Sequence, residues 1–139
     1  MALIVTKKSE APFSEFDLQC NRLEDSPSEL VSESRRYYDG KYFKAVHSKI
    51  GPGHIQPWHR HSQTAELVVV LRGKIRFHEG KECYDLVEGD SALWLPDEIN
   101  LHTMENATGE WSEYLTIKSP CHQTPISIME SDRITDGVK

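Results

Sequence analysis

The sequence predicts an all-β fold, either a sandwich or a closed barrel. Short segments rich in β-branched and aromatic residues recur through residues 37–118, and glycine or proline turns separate them. Hydrophobic residues make up 37% and charged residues 27% of the 139-residue chain, which is the balance of an ordinary globular protein. No long stretch shows a sustained helical period. These observations favour one small β-domain.

An N-terminal extension packed on the barrel is expected over residues 1–36. The segment Ser-Pro-Ser-Glu at 26–29 has a capping-box pattern with proline at the first helical position, which predicts one short helix over residues 30–34. The barrel is assigned to residues 37–120 and a polar C-terminal tail to residues 121–139.

Turn residues divide the barrel region into strands. An Asp-Gly pair between aromatic residues at 37–43 predicts a hairpin. The strands are predicted, in chain order, over residues 41–50, 66–71, 74–78, 83–87, 91–95 and 111–118.

Charge and composition exclude several classes of partner. The net charge of −6 gives a negative field that repels phosphate backbones, so no nucleic-acid partner is expected. No apolar run approaches the roughly 20 residues of a membrane-spanning helix, and the short apolar start of the chain is too brief for a secretory signal. The 3 cysteines are widely spaced, so no disulfide framework is expected. We therefore expect a cytoplasmic protein with no membrane partner.

Two histidines and a glutamate form the pattern that carries chemistry. His59 and His61 are two residues apart, so in an extended strand both imidazoles lie on one face and can hold one metal ion. If Glu66 begins the next antiparallel strand, its carboxylate can return to the same ion. Val68 and Val70 then share the face of Glu66.

This spacing resembles the first motif of the cupin family, which runs from a glycine through His-x-His and a glutamate to a second glycine. The chain matches each fixed position of that motif with Gly53, His59, His61, Glu66 and Gly73. The resemblance covers residues 43–119.

A second cupin motif follows, and it is altered in this chain. Gly89, Pro96, His102 and Asn106 match it, but one extra residue lies on each side of Pro96 and the family's second glycine is absent. A longer and differently shaped turn is therefore expected before His102.

The resemblance implies a jelly-roll barrel, also called a double-stranded β-helix, and a metal centre. It places the ligands at His59, His61, Glu66 and His102. Such a set suits one divalent transition metal, with Fe(II) expected first and Mn, Ni, Cu or Zn as alternatives. Four protein ligands leave coordination positions for water, dioxygen or a small-molecule substrate.

Other side chains are expected to contact the substrate. Val68 and Val70 would form an apolar wall beside the metal. His47 is expected near the barrel mouth. On the last strand, Tyr114 or Glu113 can reach the cavity, and the sequence leaves that choice open.

Three functions are compatible with the resemblance. The first is a dioxygenase acting on a small oxygen-bearing substrate that chelates the metal, with Glu66 as a catalytic residue that stays a ligand or detaches as a base. The second is a redox-neutral isomerase, cyclase or lyase, and the third is a non-catalytic module that binds a sugar or small acid. The family also implies a homodimer, in which residues 1–20 could supply a strand across the interface.

Overall fold

Two antiparallel sheets make up the computed structural model, which describes residues 3–15, 32–97 and 99–119. The strands, in chain order, are β1 Ser14–Glu15, β2 Ser32–Asp39, β3 Lys44–Ile50, β4 Glu66–Arg72, β5 Lys74–Glu79, β6 Glu82–Val87, β7 Ser91–Trp94, β8 His102–Glu105 and β9 Ser112–Lys118. A six-stranded sheet has the order β1-β2-β3-β9-β4-β7, and a three-stranded sheet has the order β6-β5-β8. The all-β prediction is confirmed.

The prediction of a helix over residues 30–34 is wrong for residues 32–34, the part of that segment that the structure describes. Ser32–Asp39 is strand β2, and its ladder with β3 overrides the local capping signal. Among the described residues the only helical element is a 3-10 turn at Lys8–Glu10. The described residues contain no helix that is long and apolar enough to cross a membrane. Residues 26–31 and the predicted tail at 121–139 lie outside the described residues, and the domain division stays a prediction.

The predicted hairpin and strands lie close to the observed ones. The hairpin at Asp39-Gly40 is confirmed, with the Gly40 N–H donating to the carbonyl of Phe43 at 3.2 Å. Strands β1 and β8 are not predicted from the sequence, because a two-residue strand and the short polar strand His102–Glu105 carry too few β-branched residues to stand out. Strand β8 matters most, since it begins at His102.

The hydrophobic core lies between the two sheets. Its buried members are Ile50, Val68, Val70, Ile75, Phe77, Trp94, Met104 and Tyr114. Val68 and Val70 are 0% and 1% exposed, while the alternate residues Leu67 and Val69 are half-buried, as the predicted alternation requires. The core therefore covers the inner face of β4 beyond its first residue, Glu66.

One row of directly paired residues crosses the six-stranded sheet at the start of β4. We call it the Glu66 row, and it consists of Lys44 on β3, Lys118 on β9, Glu66 on β4 and Trp94 on β7. Paired residues share a face of the sheet, so these side chains lie side by side. The row is mostly polar, in contrast to the core.

A close backbone contact connects β4 to β5 at Gly73. Gly73 has a φ of +79°, and a Cβ built there would lie 2.5 Å from the Ser112 Oγ. That hydroxyl donates to the carbonyl of Lys74 at 3.0 Å and accepts from the Lys74 N–H at 3.2 Å. The glycine is required both by the backbone conformation and by the space.

We expect Gly73→Ala to lower the free energy of unfolding by about 2–4 kcal/mol, since the strain of positive φ adds to the clash with Ser112. Gly89→Ala is the matched control, because Gly89 also has positive φ, at +90°, but has nothing within 4 Å of a built Cβ. It should cost about 1–2 kcal/mol. Urea unfolding of both variants measures the difference, and equal losses would contradict the packing argument.

Candidate metal centre

The segment that carries His59 and His61 is irregular and is not a strand, so the side-chain alternation expected of an extended strand does not apply to the two histidines. Its backbone pairs with β8 at two isolated bridges, Ile55 with Glu105 and His59 with His102, and the Thr103 hydroxyl of β8 donates to the Gln56 carbonyl at 2.7 Å. Pro57 has no N–H and cannot complete a ladder there. The histidines therefore do not reach a common site by strand alternation.

Backbone hydrogen bonds hold the histidines in place instead. The His59 N–H donates to the carbonyl of His102 at 3.0 Å, and the His102 N–H donates to the carbonyl of His59 at 2.7 Å. The carbonyl of His61 accepts from the Asp97 N–H at 3.0 Å. The two histidines of the first motif are thus hydrogen-bonded through the backbone to residues of the second motif region, His59 to His102 and His61 to Asp97.

Four side chains converge at this point. One ligand atom from each of His59, His61, Glu66 and His102 lies within 4.8 Å of the others. The imidazole centroids are 4.5 Å apart for His59 and His102 and 5.4 Å apart for His61 and His102. The Glu66 Oε1 lies 3.8 Å from the His102 Nε2. All four residues selected from the sequence are therefore brought together.

The donor atoms of the cluster fit a metal ion. Glu66, His59 and His102 are only 4–5% exposed. The Nε2 atoms of His61 and His102 are buried and have no hydrogen-bond partner in the described part of the chain. The His59 Nδ1 lies 2.8 Å from the Pro57 carbonyl, so it donates there and leaves the Nε2 lone pair available. A buried polar atom without a partner costs about 1–3 kcal/mol, which a cation would offset.

The electrostatics leave the imidazoles neutral and the carboxylate charged at neutral pH. Burial lowers the pKa of His59, that of His61 to about 4 and that of His102 to about 2. Burial alone would raise the pKa of Glu66, but the charges around it, Lys118 first, lower that pKa to about 2. Neutral imidazoles and an ionised carboxylate are the forms that bind metals.

Two residues of the Glu66 row, neither of them predicted from the sequence, contact the candidate ligands. The Trp94 ring stacks on the His102 ring at 3.9 Å with an angle of 7° between the planes. The Lys118 Nζ lies 3.3 Å from the Glu66 Oε2. Alternation along the last strand puts Lys118 on the face of Tyr114, and this signal was available from the sequence.

Before His102, the side chain of Asp97 stabilises the turn at which the family's second motif has a glycine. The Asp97 Oδ1 accepts from the N–H groups of Ile99 and Asn100 at 2.7 and 3.0 Å. After β8, the buried amide of Asn106 donates to the carbonyls of Ile50 and Glu110 at 3.0 and 2.6 Å. Hydrogen bonds therefore hold the chain on both sides of β8, and they fix the position of His102 at the start of that strand.

A cavity of about 50 Å³ opens beside the cluster. It is lined by Lys44, Val46, Ser48, Gln56, His59, Glu66, Trp94, Thr103, Met104, Tyr114, Thr116 and Lys118. Tyr114 belongs to this wall, and its hydroxyl accepts from the Gln56 Nε2 at 2.7 Å. Burial raises the pKa of Tyr114, so the hydroxyl stays protonated.

Three residues predicted to contact the substrate lie elsewhere among the described residues. Val68 and Val70 belong to the core and not to the cavity wall. His47 also lies outside that wall, because the alternate residues Val46 and Ser48 of β3 are the buried ones. Its Nε2 lies 2.9 Å from the Glu113 Oε1, and its ring packs edge-on against Phe13. The expected position of His47 at the barrel mouth is therefore wrong.

The comparison with family models agrees with this architecture. The model described as the cupin domain matches residues 46–118, more than half of the chain. The chain belongs to the cupin family. No curated protein matches its sequence.

Solved structures of several other proteins are similar to this one. A sugar phosphate isomerase from a cupin superfamily of Silicibacter pomeroyi is 17% identical, with a TM-score of 0.71 over 91% of this chain and 82% of its own. The polyketide cyclase RemF from Streptomyces resistomycificus is 15% identical, with a TM-score of 0.70 over 94% and 89%. KdgF from Halomonas sp. is 19% identical, with a TM-score of 0.59 over 68% and 84%. At these identities the likeness shows a shared cupin fold.

The metal-free cupin is expected to lose stability as the pH falls from 6.5 towards 4. Burial keeps the folded pKa of His61 near 4, below its ordinary 6.5, so in this window the unfolded chain binds protons that the folded site does not. Each such histidine contributes up to about 1.4 kcal/mol per pH unit. Glu66, whose pKa is also lowered, adds a loss of the same sign only below its ordinary 4.5.

Urea unfolding of the metal-free protein between about pH 7.5 and pH 5 measures this slope. His61→Gln should make the slope shallower than in the unaltered protein, because one buried imidazole is removed. An unchanged slope in this variant would contradict the assignment.

Metal binding is expected to quench the fluorescence of Trp94, because its ring stacks on His102 at 3.9 Å. Titration with Cu(II) or Co(II) measures the effect. Trp94→Phe should remove most of the quenching, whereas Trp111→Phe should keep it, since Trp111 is 41% exposed and does not stack on a histidine of the cluster. Quenching that depends on Trp111 would place the ion elsewhere.

Proposed function

We propose that this cupin is a metal-dependent enzyme acting on a small oxygen-bearing substrate that chelates the metal. One divalent transition metal would be held by His59, His61, Glu66 and His102, with Fe(II) expected first. The observation that carries the proposal is the pair of buried Nε2 atoms, on His61 and His102, that have no hydrogen-bond partner among the described residues and lie beside an ionised carboxylate.

When bound, the ion would supply a Lewis acid that polarises a substrate oxygen. The protein's own contribution is to hold its donors rigidly. The Glu66 side chain is buried and its Oε2 lies 3.3 Å from the Lys118 Nζ, so packing and this ion pair leave it little freedom to swing away. Of the two roles expected for Glu66, this favours the fixed ligand over the detached base.

A redox-neutral isomerase, cyclase or lyase reaction is favoured by the cavity. Lys118 lines the cavity and lies 3.3 Å from Glu66, so a cationic hydrogen-bond donor that can stabilise negative charge on a substrate oxygen stands next to the reacting region. The apolar wall expected from Val68 and Val70 is not part of that cavity. The isomerase and the cyclase among the similar structures also catalyse conversions of this kind, by the names they carry.

A dioxygenase is the second candidate, and the ligand set favours it. Three imidazoles and one carboxylate leave open positions on a five- or six-coordinate ion for substrate and dioxygen together. The binding module without turnover, the homodimer and the cytoplasmic location stay predictions. The interface strand predicted over residues 1–20 lies outside the described residues from residue 16 onward.

Protein purified without a chelating tag is expected to carry about one equivalent of a transition metal per chain. His61→Ala and His102→Ala should each lower metal affinity by about 10-fold or more, because each removes one ligand. His78→Ala is the matched control and should keep the metal, since His78 pairs with Glu105 outside the cluster. Elemental analysis checks the content, and full metal retention in both ligand variants would refute the site.

Oxygen dependence separates the two reaction classes. A panel of small keto acids, sugar phosphates and diketones is tested with and without dioxygen, on protein loaded with Fe(II), Zn(II) or Ni(II). The redox-neutral proposal expects turnover under strictly anaerobic conditions with several of these ions. Turnover that requires both Fe(II) and dioxygen would reject it in favour of the dioxygenase.

A further inference from the structure

Three buried polar side chains form one wall of the metal cavity, away from the Glu66 row. Ser48, Gln56 and Tyr114 are each at most 4% exposed, and all three line the cavity. Tyr114 is two inward-facing positions before Lys118 on β9, a distance of roughly 13 Å along the strand. This polar wall is therefore separate from the ligand atoms, although both border the same cavity.

Gln56 is held at the polar wall by strand β8. Its N–H donates to the carbonyl of Met104 at 3.0 Å, and its carbonyl accepts from the Thr103 hydroxyl at 2.7 Å. The Gln56 Nε2 then donates to the Tyr114 hydroxyl at 2.7 Å. The backbone contacts with β8 thus aim the amide at that hydroxyl.

The hydroxyls of Tyr114 and Ser48, which we call the hydroxyl pair, have one hydrogen more than their mutual contact uses. The Tyr114 oxygen accepts from the Gln56 amide, and Ser48 is the other side chain that hydrogen-bonds to it. A bond between two hydroxyls uses one of their two hydrogens, and an N–H group accepts none. The second hydrogen has no acceptor in the described part of the chain. A buried donor without an acceptor is unfavourable, so an acceptor in the cavity would stabilise the pair.

The polar wall favours an uncharged acceptor. Burial raises the pKa of Tyr114, and the negative charge of Glu66 acts in the same direction, so the hydroxyl stays neutral. That charge also disfavours an anion at the same place. Gln56 and Ser48 are neutral as well, and an anion buried against neutral groups costs far more than an uncharged oxygen. A carbonyl or hydroxyl oxygen is the group that fits.

We propose that the hydroxyl pair binds an uncharged oxygen of the substrate, a carbonyl or a hydroxyl, by donating its remaining hydrogen, while another substrate oxygen lies at the metal site. This inference rests on the proposed function and specifies the substrate class of the same site, which is a molecule with two oxygen groups separated by a carbon chain. Gln56 is a positioning residue, because it acts on the substrate only through the Tyr114 hydroxyl.

The test uses probes that combine a metal-binding head with a tail. Hydroxamic acids supply the head, and each tail carries either a methyl ketone or the matching alkene, in which a CH2 group replaces the carbonyl oxygen. The tail length is varied, because the ketone reaches the polar wall only at the right distance from the head. Calorimetry measures binding to the Zn(II)-loaded protein. At the best length the ketone is expected to bind about 10-fold more tightly than its alkene.

The double variant Tyr114→Phe with Ser48→Ala removes the hydroxyl pair. It should weaken the ketone about 10-fold, to the level of the alkene, and leave the alkene unchanged. A variant with a damaged fold would weaken both probes. Tyr84→Phe is the matched control and should keep the full preference, since the Tyr84 hydroxyl donates to Glu82 at 2.8 Å outside the cavity wall.

The carbonyl stretch of the bound ketone gives a readout that does not depend on a variant. In difference infrared spectra of an isotope-labelled ketone on the unaltered protein, the donated hydrogen bond should lower the stretching frequency below that in an apolar solvent. Gln56→Leu should raise the frequency part of the way back, because the Tyr114 hydroxyl loses the amide that orients it. A purely structural role of Gln56 would leave the frequency unchanged.

Two results would overturn the inference. One is equal binding of ketone and alkene at every tail length, and the other is a double variant that keeps the preference for the ketone. If no metal binds, the proposed function fails, and the same pairs are measured on the metal-free protein. A preference for the ketone that the double variant abolishes would still support the hydroxyl pair as a subsite, and no preference would reject it.

Discussion

The reciprocal pair of backbone hydrogen bonds between His59 and His102 is the constraint on which the site depends. It joins an irregular segment of the first motif to the first residue of β8, although the two histidines are far apart along the chain. Hydrogen bonds between buried backbone groups are costly to break, so this contact sets the distance between the two imidazoles. His61 and Glu66 follow His59 closely along the chain, so the short segment between them is enough to bring their side chains to the two imidazoles.

The Glu66 row supplies the charge that the neutral histidines lack. Antiparallel pairing aligns Lys44, Lys118, Glu66 and Trp94 across four strands. One residue of the row is the carboxylate of the cluster, one stacks on a histidine and two are cations at the cavity. The same register therefore places both the carboxylate of the candidate metal centre and the lysines beside it. A shift of one residue in β9 would turn Lys118 to the other face and separate it from Glu66.

Most of the fold and the four residues of the cluster could be predicted, because they depend on local patterns. Turn residues mark the strand ends, and the spacing of histidines, glutamate and glycines is a signal within the chain itself. The helix predicted over residues 30–34 failed because pairing with β3 outweighs a capping signal. The predicted position of His47 was wrong because side-chain alternation shows which residues of β3 share a face but not which of the two faces lies inward.

The sequence by itself determined the chemistry of the donors, the order in which they occur and the β-class of the fold. Only the tertiary structure decided that Lys44 and Lys118 lie beside the ligands, that Trp94 stacks on His102, and that Val68 and Val70 belong to the core. The physical reason is that strand register is set by pairing between distant segments, and the packing of one sheet against the other selects the inward face.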